Sequence, residues 1–216
     1  MNNRIFVIGD IHGCIDKLEN LMAKLPINWA KDNILFLGDY IDRGAQPKDV
    51  VQFIIELKKT HGEKVICLKG NHEEMFLDFL NGGELSEPFL SYGGDKTLLS
   101  YNLSASDKGA GREAISPSHF DFFSNLKINY STDRFFMVHA GVKPNVPLSL
   151  QKEEDMLWIR DKFIRSRFDW GKRIIFGHTV FETPLIQENK IGIDTGAVYG
   201  GMLTCLVIPE VDFIFA

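Results

Sequence analysis

The 216-residue sequence lacks the features of a secreted or membrane-anchored protein. Its three cysteines are too few and too scattered for a disulfide framework, and each lies in or beside an apolar segment, as a buried reduced thiol does. The first apolar run is interrupted by Gly9 and Asp10, so it is too short for a signal peptide or a membrane span. We therefore expect a cytoplasmic protein with no membrane partner. The cysteines are Cys14, Cys67 and Cys205.

The sequence also has no excess of basic residues. It contains 24 lysines and arginines against 29 acidic residues, a net charge of -5. Nucleic-acid-binding proteins carry a basic surface, so this balance argues against a nucleic-acid partner. Hydrophobic residues make up 44% of the chain, which is enough for one domain with a sizeable core. Because no repeat, low-complexity tract or linker divides the chain, we expect a single domain over residues 1–216.

What the sequence does contain is a short apolar run that occurs five times and ends each time in a polar residue. Runs of about four apolar residues closed in this way are typical of buried strands. The carboxyl ends of such strands form the edge of the sheet where α/β folds place their chemistry. The runs are IFVIGD, ILFLGD, VICLKGN, FFMVH and RIIFGH, and they end at Asp10, Asp39, Asn71, His139 and His178.

Helical periodicity follows each of the first three predicted strands, over residues 15–22, 50–57 and 73–80. This alternation of strand and helix predicts an α/β fold with a largely parallel sheet. The pattern is lost between Asn81 and Ser118, where glycine and proline recur and one helix is predicted near Lys96 to Tyr101. We expect this segment, 81–118, to be a cap or lid that selects substrates without supplying catalytic groups. Residues 185–215 are predicted to form a run of strands.

The polar residues at the strand ends are ligands suited to a pair of divalent cations. Asp10 and His12 are two positions apart, so an extended segment directs both side chains to one face and one metal. Asp39 is the best candidate to bridge the metals, because a carboxylate has two oxygens and can hold cations about 3.5–4 Å apart. A set of oxygen and imidazole ligands without thiolate favours catalytic metals over a structural zinc. The second metal is then expected to bind Asn71, His139 and His178.

A proton donor is predicted beside these ligands. Asn71 and His72 are neighbours that cannot easily point the same way, so one ligates a metal and the other is free for proton chemistry. His72 is therefore the candidate acid. Asp42, three residues after Asp39, is the natural partner to orient and charge its imidazole.

Arginine side chains offer planar forks that match phosphate oxygens, and two of them are candidates for a phosphate clamp. Arg43 follows Asp42 directly. Arg160 begins a basic stretch that runs to residue 173, and such a stretch is also typical of a solvated helix face. Arg165 and Arg167 in the same stretch are weaker candidates for phosphate contact.

The ordered motifs resemble those of the phosphoprotein phosphatase family of metallophosphoesterases. The blocks are GDIHG at 9–13, GDYIDRG at 38–44, GNHE at 70–73, HAG at 139–141 and GHT at 177–179. The chain resembles in particular the bacterial and bacteriophage lambda-type serine/threonine phosphatases, because it also contains LWIR at 157–160 and IDTGAVYGG at 193–201. The resemblance implies a calcineurin-like domain, a central β-sandwich flanked by helices with two metals at the strand ends.

The resemblance also implies roles that agree with those deduced from the residues. Asp39 would bridge the metals, His72 and Asp42 would form the acid pair, and Arg43 and Arg160 would bind phosphate. Manganese is the metal that the family suggests, and iron or zinc would suit the same ligands. Lys69 departs from the pattern, because many relatives have arginine before GNHE and lysine lacks the bidentate fork.

These features predict a metal-dependent phosphomonoesterase that acts on phosphoserine and phosphothreonine in proteins. Direct attack by a hydroxide bridging the metals would expel the alkoxide, which His72 would protonate, and no phosphoenzyme would form. The alternative is a hydrolase of diadenosine tetraphosphate or other small phosphoesters, since relatives with the same blocks cleave those. A remote alternative is a non-catalytic binding module, which would show a missing ligand or acid, whereas all are present here.

Three further residues stand apart from these roles. His61 and His119 lie outside every motif and are expected at the surface. Tyr199 lies in a glycine-rich turn, where a place near the site and a packing role are both open.

Overall fold

The computed structural model describes residues 3–216, and its helices and strands alternate in the first third of the chain. The strands are β1 (Ile5–Ile8), β2 (Asn33–Phe36), β3 (Val65–Cys67), β4 (Asn129–Ser131), β5 (Phe135–Val138), β6 (Arg173–Phe176), β7 (Leu185–Ile186), β8 (Lys190–Gly192), β9 (Thr204–Ile208) and β10 (Asp212–Phe215). The α-helices are α1 (Ile15–Lys24), α2 (Pro47–His61), α3 (Asn71–Leu80), α4 (Ser86–Phe89), α5 (Asp95–Ser100), α6 (Pro117–Ser124), α7 (Glu153–Trp158) and α8 (Asp161–Ile164).

The strands form two mixed sheets. The first has the order β10-β9-β1-β2-β3, in which β1, β2 and β3 are parallel and β9 is antiparallel to both of its neighbours, β1 and β10. The second has the order β4-β5-β6-β8-β7, with β5, β6 and β8 parallel and an antiparallel strand at each edge. The five apolar runs form the parallel strands β1, β2, β3, β5 and β6, and their carboxyl ends emerge along one edge.

The two sheets pack face to face, and helices cover their outer faces. Successive strand residues point to opposite faces, so Ile5 and Val7 of β1 pack with Met137 of β5 between the sheets. Phe6 and Ile8 point the other way and pack under the helices that follow β1, β2 and β3. This αββα arrangement confirms the predicted sandwich flanked by helices. It also explains why β1, β3 and β5 are apolar throughout, because both of their faces are buried.

The second sheet is covered by the short helices that precede β6. Val138 and Phe176 pack on its outer face against Met156 of α7 and Phe163 of α8. Lys190 of β8 is buried in this layer, and its ammonium group donates hydrogen bonds to the backbone oxygens of residues 163, 164 and 166. The buried lysine therefore ties the chain after α8 to the sheet.

The segment 81–118 is more ordered than its composition indicates. It contains α4, α5, a π-helical turn over residues 90–94 and the start of α6. Phe89, Leu98 and Tyr101 from this segment are buried in the core formed with α2 and α3. The helix predicted near residues 96–101 is present as α5. These three side chains lie between the glycines of the segment. They pack the segment against the core although its sequence has no clear helical period.

His119 corrects one expectation. It is buried rather than exposed, because its Nε2–H donates to Gln52 Oε1 at 2.9 Å and its Nδ1 accepts from the Tyr101 hydroxyl at 2.7 Å. The hydrogen bonds of both ring nitrogens offset the cost of burial. His61 is half-buried and stacks on Trp29, with the ring centroids 3.7 Å apart.

The cysteines behave as expected for reduced thiols. All three are free, with Cys67 and Cys205 buried and Cys14 partly exposed. Among residues 3–216, no helix combines the length and the apolar character needed to cross a membrane.

Candidate active site

The edge where the parallel strands end brings the predicted site residues together. Asp10 and His12 follow β1, Asp39 follows β2, and Asn71 and His72 begin α3 directly after β3. His139 and His178 follow β5 and β6 of the second sheet. All seven side chains are at least nine-tenths buried, so the site has a low effective dielectric constant.

Two groups of potential metal ligands share Asp39. The first is His12, Asp39 and His72, and the second is Asp39, His139 and His178, each with ligand atoms within 4.8 Å of one another. Asp39 Oδ2 is 3.4 Å from His12 Nε2, and Asp39 Oδ1 is 3.4 Å from His139 Nε2. Each oxygen of one carboxylate thus faces a different group, which is the geometry a bridging ligand requires.

Asn71 joins the second group, because its Oδ1 lies 3.0 Å from His139 Nε2. Asp10 lies outside both groups: its Oδ2 accepts the His178 backbone N–H at 2.9 Å. Burial, together with the nearby Asp194 and Asp39, raises the pKa of Asp10 well above its usual range. Such crowding of buried acids favours a bound cation, which offsets their mutual repulsion.

Backbone carbonyls hold two of the imidazoles with Nε2 directed into the site. His12 Nδ1–H donates to Ile41 O at 2.7 Å, and His139 Nδ1–H donates to Leu37 O at 3.0 Å. These hydrogen bonds fix the tautomer that leaves Nε2 as the ligating atom. Burial lowers the pKa of His139 to about 4 and lowers that of His178 well below its ordinary value. Both imidazoles are therefore neutral near pH 7, the form that binds metals.

His72 has a different environment. Its Nδ1–H donates to Asp42 Oδ2 at 2.5 Å, and both side chains are buried. Burial by itself lowers the pKa of His72, but Asp39 and the hydrogen bond to Asp42 outweigh it and raise the pKa above the ordinary value. Asp42 therefore orients the imidazole and favours its protonated form.

The arginines differ in how closely they approach the site. Arg43 is half-buried, and its guanidinium nitrogens lie 2.5 Å from His12 Nε2 and 2.9 Å from His72 Nε2. Arg160 is exposed and donates to the backbone oxygen of His178 at 2.9 Å, which places it at the rim. Lys69 forms an ion pair with Glu153 at 3.0 Å.

Arg165 and Arg167 are not brought to the metal ligands. Both line a surface cavity of about 810 Å³ that contains none of the ligand residues. Arg165 also lies 3.4 Å from Asp161 in an exposed ion pair on the same helical stretch. This arrangement is typical of a solvated helix face, the other role that the basic stretch from 160 to 173 suggests.

Five of the site residues adopt the left-handed backbone region, which is uncommon for residues other than glycine. Such conformations cost about 1–3 kcal/mol each and persist where packing holds them, typically at functional sites. Gly38 precedes one of them with φ of 106°, and a Cβ added there would lie 2.5 Å from the Gly70 nitrogen. The ends of β2 and β3 therefore approach closely only because glycine lies between them. The five are His12, Asp39, Asp42, Arg43 and His178.

Three further residues support the site and were not predicted. Glu73 is fully buried and accepts backbone N–H groups from Asp39, Tyr40 and Gly70 at 2.8–2.9 Å. Burial and the nearby Asp39 raise its pKa to about 8. The GNHE block contains this glutamate and could have indicated it.

Asp194 and Thr97 are the other two. Asp194 is buried near Asp10 and accepts the Gly196 N–H at 3.0 Å, and the IDTG motif contains it. Thr97 is fully buried on α5 and hydrogen-bonds Asp42. The sequence carries no signal for Thr97, because it stands in a helix with no recognised motif.

Buried ligand atoms without partners show that the residues fit metal ions. Within residues 3–216, Asp10 Oδ1 and His178 Nε2 are buried and have no hydrogen-bond partner. Unpaired buried polar atoms are costly, and metal coordination would satisfy Asp10 Oδ1. The donor set contains carboxylate, amide oxygen and neutral imidazole, as divalent catalytic metals require.

A sandwich of two mixed sheets with a histidine- and aspartate-rich centre at the strand ends defines a metallophosphoesterase. The calcineurin-like phosphoesterase family model matches residues 3–215, and the chain belongs to this family. It is therefore a hydrolase of the metallophosphoesterase superfamily, whose members use divalent metals.

Individual relatives are similar over nearly the whole chain. Bis(5'-nucleosyl)-tetraphosphatase PrpE (asymmetrical) of Bacillus thuringiensis strain Al Hakam is 26% identical over 96% of this chain and 92% of its own length. A crystal structure provisionally assigned as a diadenosine tetraphosphatase has a TM-score of 0.75 and 22% identity, covering 100% of this chain and 94% of that one. A serine/threonine phosphatase of Saccharomyces cerevisiae has a TM-score of 0.68 and 16% identity, covering 100% and 79%. The two structural similarities establish the fold alone.

Proposed function

We propose that this protein is a metal-dependent hydrolase of dinucleoside tetraphosphates. The observation that carries the proposal is the similarity, across 96% of the chain, to proteins named bis(5'-nucleosyl)-tetraphosphatases. This supports the alternative considered from the sequence better than the serine/threonine phosphatase that the motifs favoured. Because those relatives are named asymmetrical, we propose cleavage of an outer phosphoanhydride bond, yielding a nucleoside monophosphate and a nucleoside triphosphate.

Exposed aromatic rings beside Arg43, the proposed phosphate contact, support a nucleotide substrate. Tyr199 is 64% exposed, and the Arg43 guanidinium carbon lies 5.6 Å from its ring centroid. Tyr92 is 51% exposed, and its ring centroid is 6.5 Å from that of His72. Nucleobases stack on such rings, whereas the methylene of a phosphoserine offers nothing comparable.

In the proposed reaction the side chains of this chain bind, orient and supply a proton. Arg43 would turn its fork to the phosphoryl oxygens, with Arg160 at the rim as a second contact. As water adds to phosphorus and the P–O bond to the leaving group breaks, His72, held at Nδ1 by Asp42, would deliver a proton from Nε2 to the leaving oxygen. The N-terminus of α3 would add its positive dipole end near the phosphate.

Two metal ions would be held by the residues at the strand ends, with Asp39 shared between them. Asp10 and His12 would serve the first metal, and Asn71, His139 and His178 the second. When bound, divalent cations lower the pKa of water and polarise phosphoryl oxygens. Manganese is proposed on the family resemblance.

A substrate panel tests the function. The full-length protein is stripped of metal, reloaded separately with Mn²⁺, Fe²⁺ or Zn²⁺, and assayed on diadenosine tetraphosphate, a phosphoserine peptide and p-nitrophenyl phosphate. We expect kcat/KM for the dinucleotide to exceed that for the peptide by about tenfold or more, because the base contacts add to transition-state binding. Chromatography of the products should show AMP and ATP in equal amounts.

The stripped protein is the control and should be inactive on all three substrates. A higher kcat/KM for the phosphopeptide would overturn the proposal in favour of a protein phosphatase. Formation of two molecules of ADP would overturn the asymmetrical cleavage while leaving the substrate class intact.

Removing the exposed ring at Tyr199 should weaken nucleotide binding selectively. Stacking of a base on an aromatic ring contributes about 1–3 kcal/mol, so Tyr199→Ala should raise KM for diadenosine tetraphosphate by about tenfold. Steady-state kinetics should show little change for p-nitrophenyl phosphate. Tyr199→Phe keeps the ring and should behave like the unmodified protein. Equal losses on both substrates would instead assign Tyr199 to the support of Arg43.

A further inference from the structure

The turn that bears Asp42 and Arg43 is held by the segment 81–118. The Asp42 backbone N–H donates to Thr97 Oγ1 at 3.0 Å, and the Thr97 hydroxyl donates to Asp42 Oδ1 at 2.5 Å. The Arg43 backbone N–H donates to Gly93 O at 3.0 Å. Three hydrogen bonds therefore connect this turn to α5 and to the π-helical turn before it.

The contacts of Asp42 leave its carboxylate a single orientation. Thr97 binds one oxygen, and His72 Nδ1–H binds the other at 2.5 Å. Both Thr97 and Asp42 are fully buried, so no solvent can replace the threonine hydroxyl. The direction of the His72 imidazole thus depends on a carboxylate whose second oxygen is held from α5.

The backbone at the turn also requires support from outside. Asp42 and Arg43 have φ of 71° and 64°, a region that costs free energy for both residue types. Gly93 fits against them with φ of 100°, and a Cβ added there would lie 3.0 Å from the Arg43 nitrogen. The glycine permits the approach, and the threonine provides the hydrogen bonds.

We propose that Thr97 is a positioning residue for proton donation: by holding both the backbone and the carboxylate of Asp42, it sets the direction of His72 Nε2 toward the leaving oxygen. The segment 81–118 then does more than select substrates. This inference rests on the phosphoester hydrolysis proposed above, but not on the choice of dinucleotides as substrates.

The test compares two aryl phosphates that differ in their need for a proton. Phenolate is a poorer leaving group than p-nitrophenolate, so loss of proton donation slows phenyl phosphate more. Thr97→Val keeps the shape and removes the hydroxyl. We expect kcat for phenyl phosphate to fall by about tenfold or more, part of the usual contribution of a general acid, and kcat for p-nitrophenyl phosphate by less than about twofold.

Matched variants separate positioning from a general structural effect. Thr97→Ser restores the hydroxyl and should recover the kcat ratio of the unmodified protein. Ser91→Ala removes an exposed hydroxyl that binds the backbone of Glu87 in the same segment, and should change neither substrate. In an Asp42→Asn background, Thr97→Val should have no further effect on the ratio, because both changes act through one carboxylate.

Metal content and thermal unfolding are measured for every variant. If Thr97→Val does not fold, Thr97→Cys replaces it, since a thiol is a weak donor of similar size, and the same bias is expected in milder form. Equal slowing of both aryl phosphates, or no slowing, in a folded and metal-loaded variant would overturn the inference. The two aryl phosphates test the positioning role of Thr97 even if the dinucleotide proves not to be a substrate.

Discussion

Replacing Asp39 by asparagine should abolish turnover and lower the occupancy of both metal positions. The carboxylate faces both ligand groups, with Oδ2 3.4 Å from His12 Nε2 and Oδ1 3.4 Å from His139 Nε2. The amide is neutral and has only one oxygen, so it can neither neutralise nor join two cations. Changes outside the ligand shell already cost about 10–100-fold in metal affinity or activity, so loss of this ligand should cost more than about a hundredfold.

The measurement is elemental analysis after gel filtration, alongside kcat on p-nitrophenyl phosphate. Asp133→Asn is a suitable control, because it makes the same chemical change at an exposed position away from the strand-end site. If Asp39→Asn kept two tightly bound metals per chain, Asp39 would not be the bridge. Asp10→Asn should weaken mainly the first metal position, since Asp10 is proposed to serve that metal together with His12.

Replacing His72 by asparagine should slow substrates in proportion to their need for a proton. A serine alkoxide or phenolate is a poor leaving group, so turnover of a phosphoserine peptide or phenyl phosphate should fall by about 10²–10⁴-fold. A nitrophenolate departs readily without a proton, so p-nitrophenyl phosphate should be much less affected. Dinucleotide turnover should also fall less than that of phenyl phosphate. A phosphate group, whose second pKa is about 6, is a better leaving group than phenolate.

Metal content should stay unchanged in His72→Asn, which distinguishes a proton donor from a ligand. The distinction matters, because His72 Nε2 is 3.9 Å from Asp39 Oδ2 and belongs to one of the two potential ligand groups. Asp42→Asn should show the same bias in milder form, since it weakens the orientation of the imidazole without removing it. His61→Asn is the control, because His61 stacks on Trp29 outside the site. Uniform slowing of all substrates, or loss of metal, would assign His72 to metal binding instead.

The sequence by itself determined the strands and the chemistry at their ends. An apolar run of about four residues can be recognised locally, because a strand buried on both faces needs no polar alternation. Parallel strands then bring their carboxyl ends to one edge, so the sequence alone predicts that Asp10, Asp39 and Asn71 lie together. Helical period is also a local property, and it predicts α2, α3 and α5.

Tertiary structure alone decided which groups meet across the sandwich. His139 and His178 come from the second sheet, and their approach to Asp39 depends on how the two sheets pack. Thr97 reaches Asp42 across 55 positions of sequence, and nothing in a helical threonine indicates such a partner. His119 was expected at the surface and is buried, because Gln52 and Tyr101 satisfy its two nitrogens. Periodicity reports which face of an element is apolar, whereas the partner of a buried polar group depends on long-range packing that no local pattern encodes.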